Sequence, residues 1–305
     1  MKRLLPALIL ALAPAAAQAL DLPVRLRDGA TWTQTSVHTR TDTREGATRS
    51  TTATSVTRST YRKEAGVGTL RVDFVSFDVD GVEGEAKAAL AEKARLVYPA
   101  VLEVDDALIP TRVRDWDKMR ETIFQALAAS IPDAPALDAA KSMFAGMDAV
   151  QAASLFKEQG LVALGQGADL EPGQASPYDS EIPNILGGPP IKASGAFRLD
   201  AVDKARERAV LTWSQTPDAA SMAASLKVSM EAMSARVAPD KQAEAKARLA
   251  NLTLERQEGC RYEIDMATGL AATTDCTVEI RAGLPPQIGL RTERWVITQS
   301  VPEPR

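Results

Sequence analysis

The chain has 305 residues, a formal net charge of −4, 25% charged and only 5% aromatic residues. That balance gives no basic surface for nucleic acid and no disordered acidic tract. One histidine and two cysteines supply too few ligands for a zinc site once the cysteines pair with each other.

The N-terminus, MKRLLPALILALAPAAAQAL, has the pattern of a secretory leader. Lys2 and Arg3 form its basic start, Leu4 to Leu12 its apolar stretch and Ala17-Gln18-Ala19 its small-residue site, with cleavage expected between Ala19 and Leu20. The apolar run falls short of the ~18 residues a membrane span needs, and no later segment approaches that length. No cysteine stands near the cleavage point, so there is no lipobox. The expectation is a periplasmic or secreted soluble protein in which residues 20–305 form one α+β domain.

Thr31, Thr33, Thr35, Thr39, Thr41 and Thr43 alternate with polar or aromatic partners, and a second β-branched run follows the Glu45-Gly46 turn up to Tyr61. Neither run has a strongly apolar face, which predicts half-solvated strands near a sheet edge. From Arg25 to Lys63 basic residues outnumber acidic ones eight to three. Such a hairpin either faces an anionic surface or uses its arginines to keep an edge soluble. Thr69 to Asp80 reads as a further strand with a phase change at Phe74-Val75, the mark of a bulge. Asp78 to Gly81 lacks the spacing of a calcium loop and reads as a turn.

A helical stretch from Glu83 to Lys93 leads into a hairpin over Leu96 to Arg114, which Pro99 and Pro110 push to an edge. Asp115 is placed to cap a helix carrying Trp116, Met119, Ile123 and Leu127 on one face. Helix continues over Pro135 to Gln159, broken near Gly146, restarted at Asp148 and ended by Gly160. Gly165 to Pro190, rich in Gly and Pro, is expected to be a long irregular loop of the functional or mobile kind. Strands follow over Ile191 to Thr216, then helix from Asp218 to about Ala250, with Met222, Met230 and Met233 at helical spacing.

Gly259 to Cys276 is a hairpin with its turn written in the sequence. With Gly269 in the left-handed position of an Ala267-Thr268-Gly269 loop, Ile264 stands opposite Ala272, Tyr262 opposite Thr274 and Cys260 opposite Cys276. One register puts Cys260, Tyr262, Ile264, Met266, Leu270, Ala272, Cys276 and Val278 on a single face, so a Cys260–Cys276 disulfide is predicted. Leu290 to Ser300 supplies a last strand, apolar in both phases at Trp295-Val296-Ile297 and therefore expected to be covered on both faces.

The sum is a long antiparallel sheet of about eleven strands, curved like a half-barrel, with two helical insertions packed on one face. No phosphate loop, GxSxG elbow or second histidine supports catalysis, and His38 stands alone. No cofactor is implied. Met119, Met143, Met147, Met222, Met230 and Met233 all fall on helix candidates, where they either fill the sheet–helix core or line an apolar ligand site.

A leader, the strand blocks Thr31–Asp80, Leu96–Arg114, Ile191–Thr216 and Leu252–Ser300, and the helical blocks Trp116–Gln159 and Asp218–Ala250 give an order of elements that resembles the bacterial LolA/LppX-type lipoprotein-carrier superfamily. The resemblance implies a half-barrel closed by helices that holds acyl chains. It carries no binding residue across. It points to a protein that binds or carries a lipid, a lipoprotein or another apolar ligand. The alternatives are an envelope interaction domain, making peripheral contacts through the 31–61 hairpin or the 165–190 loop, and a carboxylate-based enzyme.

Overall fold

The computed structural model describes residues 20–131, 133–182, 189–234, 253–284 and 287–300. Its strands are β1 (Leu20–Asp21), β2 (Thr31–Arg44), β3 (Ala47–Glu64), β4 (Val67–Val79), β5 (Ala100–Val104), β6 (Pro110–Val113), β7 (Asp169–Leu170), β8 (Ala175–Ile182), β9 (Ile191–Asp203), β10 (Arg208–Pro217), β11 (Thr253–Asp265), β12 (Ala271–Leu284) and β13 (Gln287–Gln299). Its helices are α1 (Gly84–Arg95), α2 (Trp116–Ser130), α3 (Ala134–Ala145), α4 (Lys157–Ala163) and α5 (Ala219–Ser234), with a 3-10 turn at Gln151–Leu155.

Eleven strands form one antiparallel sheet in the order β6-β5-β4-β3-β2-β13-β12-β11-β10-β9-β8. The fold is α+β, and the sheet does not close: β6 and β8 are its edges. β1 and β7 pair separately. The connections are short hairpins except where helices are inserted, and one such insertion, α1, follows β4. Most of the pairing is therefore between neighbours in sequence.

Several expectations are corrected. β2 and β3 are central, not marginal, because β13 pairs along β2 from Leu290↔Thr43 to Gln299↔Gln34. Their outward phase is a threonine ladder in which Thr39 faces Thr52 at 3.2 Å, Thr41 faces Ser50 at 3.1 Å and Thr43 faces Thr48 at 3.1 Å. Hydroxyls that pair across strands let a central sheet face water on one side without an apolar cover. The 165–190 segment is not irregular throughout: β7 and β8 lie within it, and β8 pairs with β9 from Ala175↔Arg198 to Ile182↔Ile191. Its side chains are mostly exposed and Pro177 interrupts the donors, so an edge strand there has the composition of a loop.

Asp115 stands at the N-terminus of α2 but makes no side-chain cap, since its backbone is left-handed at φ 54°. Asp148 does cap. Its Oδ1 accepts from the N–H groups of Val150 (2.9 Å) and Gln151 (2.8 Å), while Gln151 Oε1 accepts from the Asp148 N–H at 3.0 Å. Gly160 lies inside α4, not at its end, and an added Cβ there meets nothing. Trp295 and Ile297 are buried, whereas Val296 on the opposite face is only partly covered. The helical expectation for 240–250 lies outside the described residues.

The β11–β12 hairpin holds Cys260 opposite Cys276 and Tyr262 opposite Thr274 as read from sequence, with the sulfurs bonded. A bulge after Glu263 then sets Ile264 opposite Ala271, so Ala271 rather than Ala272 turns inward. In the turn, Asp265 Oδ1 accepts from the N–H and hydroxyl of Thr268. Gly269 has φ 74°, and a Cβ there would collide with the Pro23 carbonyl. The turn thereby anchors the N-terminal segment, whose Leu22, Leu26 and Ala30 are buried.

Two outcomes follow. Replacing both cysteines by alanine is expected to lower stability by about 3 kcal/mol in urea unfolding under non-reducing conditions. Gly269→Ala is expected to cost about 1–3 kcal/mol in the same assay, through its positive φ and the Pro23 contact.

Candidate functional site on the inner face of the sheet

The strand phases that carry Trp32, Val72, Leu102, Tyr262 and Trp295 face the helices. They build two apolar clusters separated by a polar seam. One cluster lies over β4, β5 and β6, where Leu70, Val72, Ala100, Leu102, Val104 and Val113 pack against Trp116, Ile123 and Phe156. The other lies over β9 to β13, where Leu199, Leu211, Trp213, Tyr262, Ile264 and Ile297 pack against Leu161 and Val162 of α4. Tyr262 donates its hydroxyl to the Leu161 carbonyl at 3.1 Å, and the ring passes where Gly165 leaves no side chain.

α4 is the element that bridges the clusters. Phe156, just before it, belongs to the first cluster, and Leu161 and Val162 belong to the second. Between them Lys157 and Glu158 meet the inward phase of β2 and β3, which is polar: Gln34, Ser36 and His38 on β2, Ser55 and Thr57 on β3. Ser55 donates to both Glu158 oxygens at 3.2 Å, and Gln34 Nε2 lies 3.5 Å from one of them. Burial pushes the Glu158 carboxyl above its ordinary value, offset in part by Ser36, Ser55, His38 and Gln34.

Lys157 extends over Trp295, its ammonium 3.7 Å from the ring centroid. His38 stacks on the same indole at 4.4 Å with planes 4° apart. Glu293 stands near both side chains, 3.6 Å from His38 Nε2 and 3.8 Å from Lys157 Nζ. His38, with help from Lys157 and Arg291, holds the Glu293 carboxyl below its ordinary range, while partial burial pulls Lys157 down.

The candidate methionines with described side chains, Met119, Met147 and Met222, do not meet in one space. Met119 and Met147 pack against the β4–β6 cluster, and Met222 is buried on α5, which packs on β9 and β11. The side chains of Met143, Met230 and Met233 lie outside the described residues. Met147 also borders an open cleft of about 850 Å³, together with Val113, Trp116 and Arg120. Deeper in, a space of about 10 Å³ beside Gln34, Gln159, Gln166 and Gln299 has room for roughly one water.

Of the basic residues of the β2–β3 hairpin, Arg40 is held within the sheet: with Arg291 of β13 it bonds Asp42, at 2.7 and 2.8 Å, and the two hold that carboxyl at about 2. Asp105 accepts from the N–H groups of Ala107 and Ile109 and shapes a turn. Among the described residues no group of three or more His, Cys, Asp and Glu is arranged to hold a metal ion.

The seam was missed from sequence because Lys157 and Glu158 read as ordinary helix-surface charges. The available signal was the second phase of β2, polar at Gln34, Ser36 and His38 in a strand long enough to be central.

Because Glu158 holds its proton more tightly in the folded state, its contribution to stability is full below about pH 4.5, its ordinary value. It is lost as pH rises through the raised value. The urea midpoint is therefore expected to fall as pH rises above about 4.5, and Glu158→Gln is expected to flatten that fall. Equal slopes in the two proteins would remove this role for Glu158. Compared with known proteins, the chain matches no family model and no curated protein.

Proposed function

We propose that this chain is an exported, periplasmic carrier that holds an apolar, lipid-like ligand against the inner face of its open sheet, beneath the helices. The observation that carries the reading is how lightly the cover over β4 to β6 is seated. α1 buries no side chain, and α2 buries two, Trp116 and Ile123. Burial of two such side chains contributes about 3–6 kcal/mol, to which the partly buried Met119 and Leu127 and the buried Phe156 add. Beneath them lies a continuous apolar surface of Val72, Ala100, Leu102, Val104 and Val113. An acyl chain placing about ten methylenes on it would gain about 8 kcal/mol. A ligand therefore competes with the helices on comparable terms.

The cleft beside Val113, Trp116 and Met147 gives that ligand a way in from the β6 edge. A disulfide suits an oxidising compartment, and the leader-like N-terminus and the order of strands and helices agree with the carrier resemblance. Fold alone does not carry function; the thin cover over an apolar sheet does.

Titrating the purified protein with a fluorescent fatty acid is expected to give saturable binding that unlabelled fatty acid displaces, with a Kd in the micromolar range, about −8 kcal/mol. No displaceable binding would overturn the proposal.

A further inference from the structure

A carrier of lipid-like molecules must also place whatever polar end its ligand has, and the polar seam offers one place to do so. Lys157 sits at the boundary of the two apolar clusters, one residue after Phe156. Its side chain is 44% exposed. Its ammonium rests against the Trp295 ring and faces Glu293 at 3.8 Å. His38 stacks on the same ring, and its Nε2 is buried with Glu293 3.6 Å away.

Glu293 and Glu158 are the acids facing the pair. Glu293 is divided between His38 and Lys157, and Glu158 accepts from Ser55. A lysine whose acidic partner stands at 3.8 Å, at a point where apolar surface begins on either side, suits an oxyanion attached to a hydrocarbon chain.

We infer that Lys157 and His38, both set against the Trp295 ring, receive the anionic head of an amphiphile, a carboxylate or phosphate, whose chain lies along the adjoining apolar cluster. This rests on the carrier reading and narrows its ligand to acidic lipids.

The test displaces a fluorescent fatty acid with laurate, dodecyl phosphate, dodecanol or inorganic phosphate. Laurate and dodecyl phosphate are expected to displace it at roughly tenfold lower concentration than dodecanol, as befits a charge-assisted contact. Lys157→Met is expected to erase that preference while leaving dodecanol unchanged, and Lys157→Arg to keep it, with unfolding midpoints confirming that both variants are folded. Equal potency of acid and alcohol, or an unaltered preference in Lys157→Met, overturns the head-group site and leaves the carrier standing. Inorganic phosphate as potent as dodecyl phosphate overturns the amphiphile assignment. No displacement by any of the four removes the carrier reading and this site with it.

Discussion

The pairing of β13 with β2 is the constraint on which the rest of the molecule depends. Ten residues at the end of the chain align with ten near its beginning, and Ser300 adds a backbone bond to Thr33 and a side-chain bond back from its N–H. Without that ladder the strands fall into two separate sheets, β2 to β6 and β8 to β12 with β13. With it they form one surface wide enough for helices from three insertion points to lie on. The open edges then come from the middle of the sequence, at β6 and β8, rather than from its ends.

That arrangement explains the chemistry of the inner face. Each half of the sheet brings its own apolar cluster, built from hairpins local in sequence, and the junction strands β2 and β3 lie between them. Apolar side chains are concentrated where helices α2 and α4 press down, and the junction is left to Gln34, Ser36, His38, Ser55 and Thr57. Charge from α4 is then accommodated by hydrogen bonds and by the Trp295 ring instead of by hydrocarbon. Trp295 belongs to both environments: its lower edge packs with the disulfide and Ile297, while its faces meet a cation and an imidazole.

Much of the fold was legible in the sequence because its signals were local. The Cys260–Cys276 register followed from one turn and one alternating pattern, and the bulge at Phe74-Val75 is matched by the irregularity that pairs Ser76 with Val56 and then Phe74 with Thr57. What misled was position within the sheet. β2 has no strong apolar phase, so composition placed it at an edge, yet its neighbours are fixed by a strand some 250 residues away, which no local pattern reports. β8 was hidden for the opposite reason: an exposed edge strand interrupted by proline has little to distinguish it from a loop. The candidate site was the least legible part, because Lys157, His38 and Glu293 come from three distant segments and carry meaning only together.

The same terminal ladder has a kinetic side. A newly made chain emerges N-terminus first, so β2 waits with one edge unpaired until some 250 further residues have been delivered. Contacts this remote in sequence are slow to form, and an unpaired strand edge invites association with other chains in the meantime. The hydroxyl-rich, arginine-studded character of β2 and β3 then has a use during synthesis as well as in the finished protein: it keeps the waiting edge hydrated until its partner arrives.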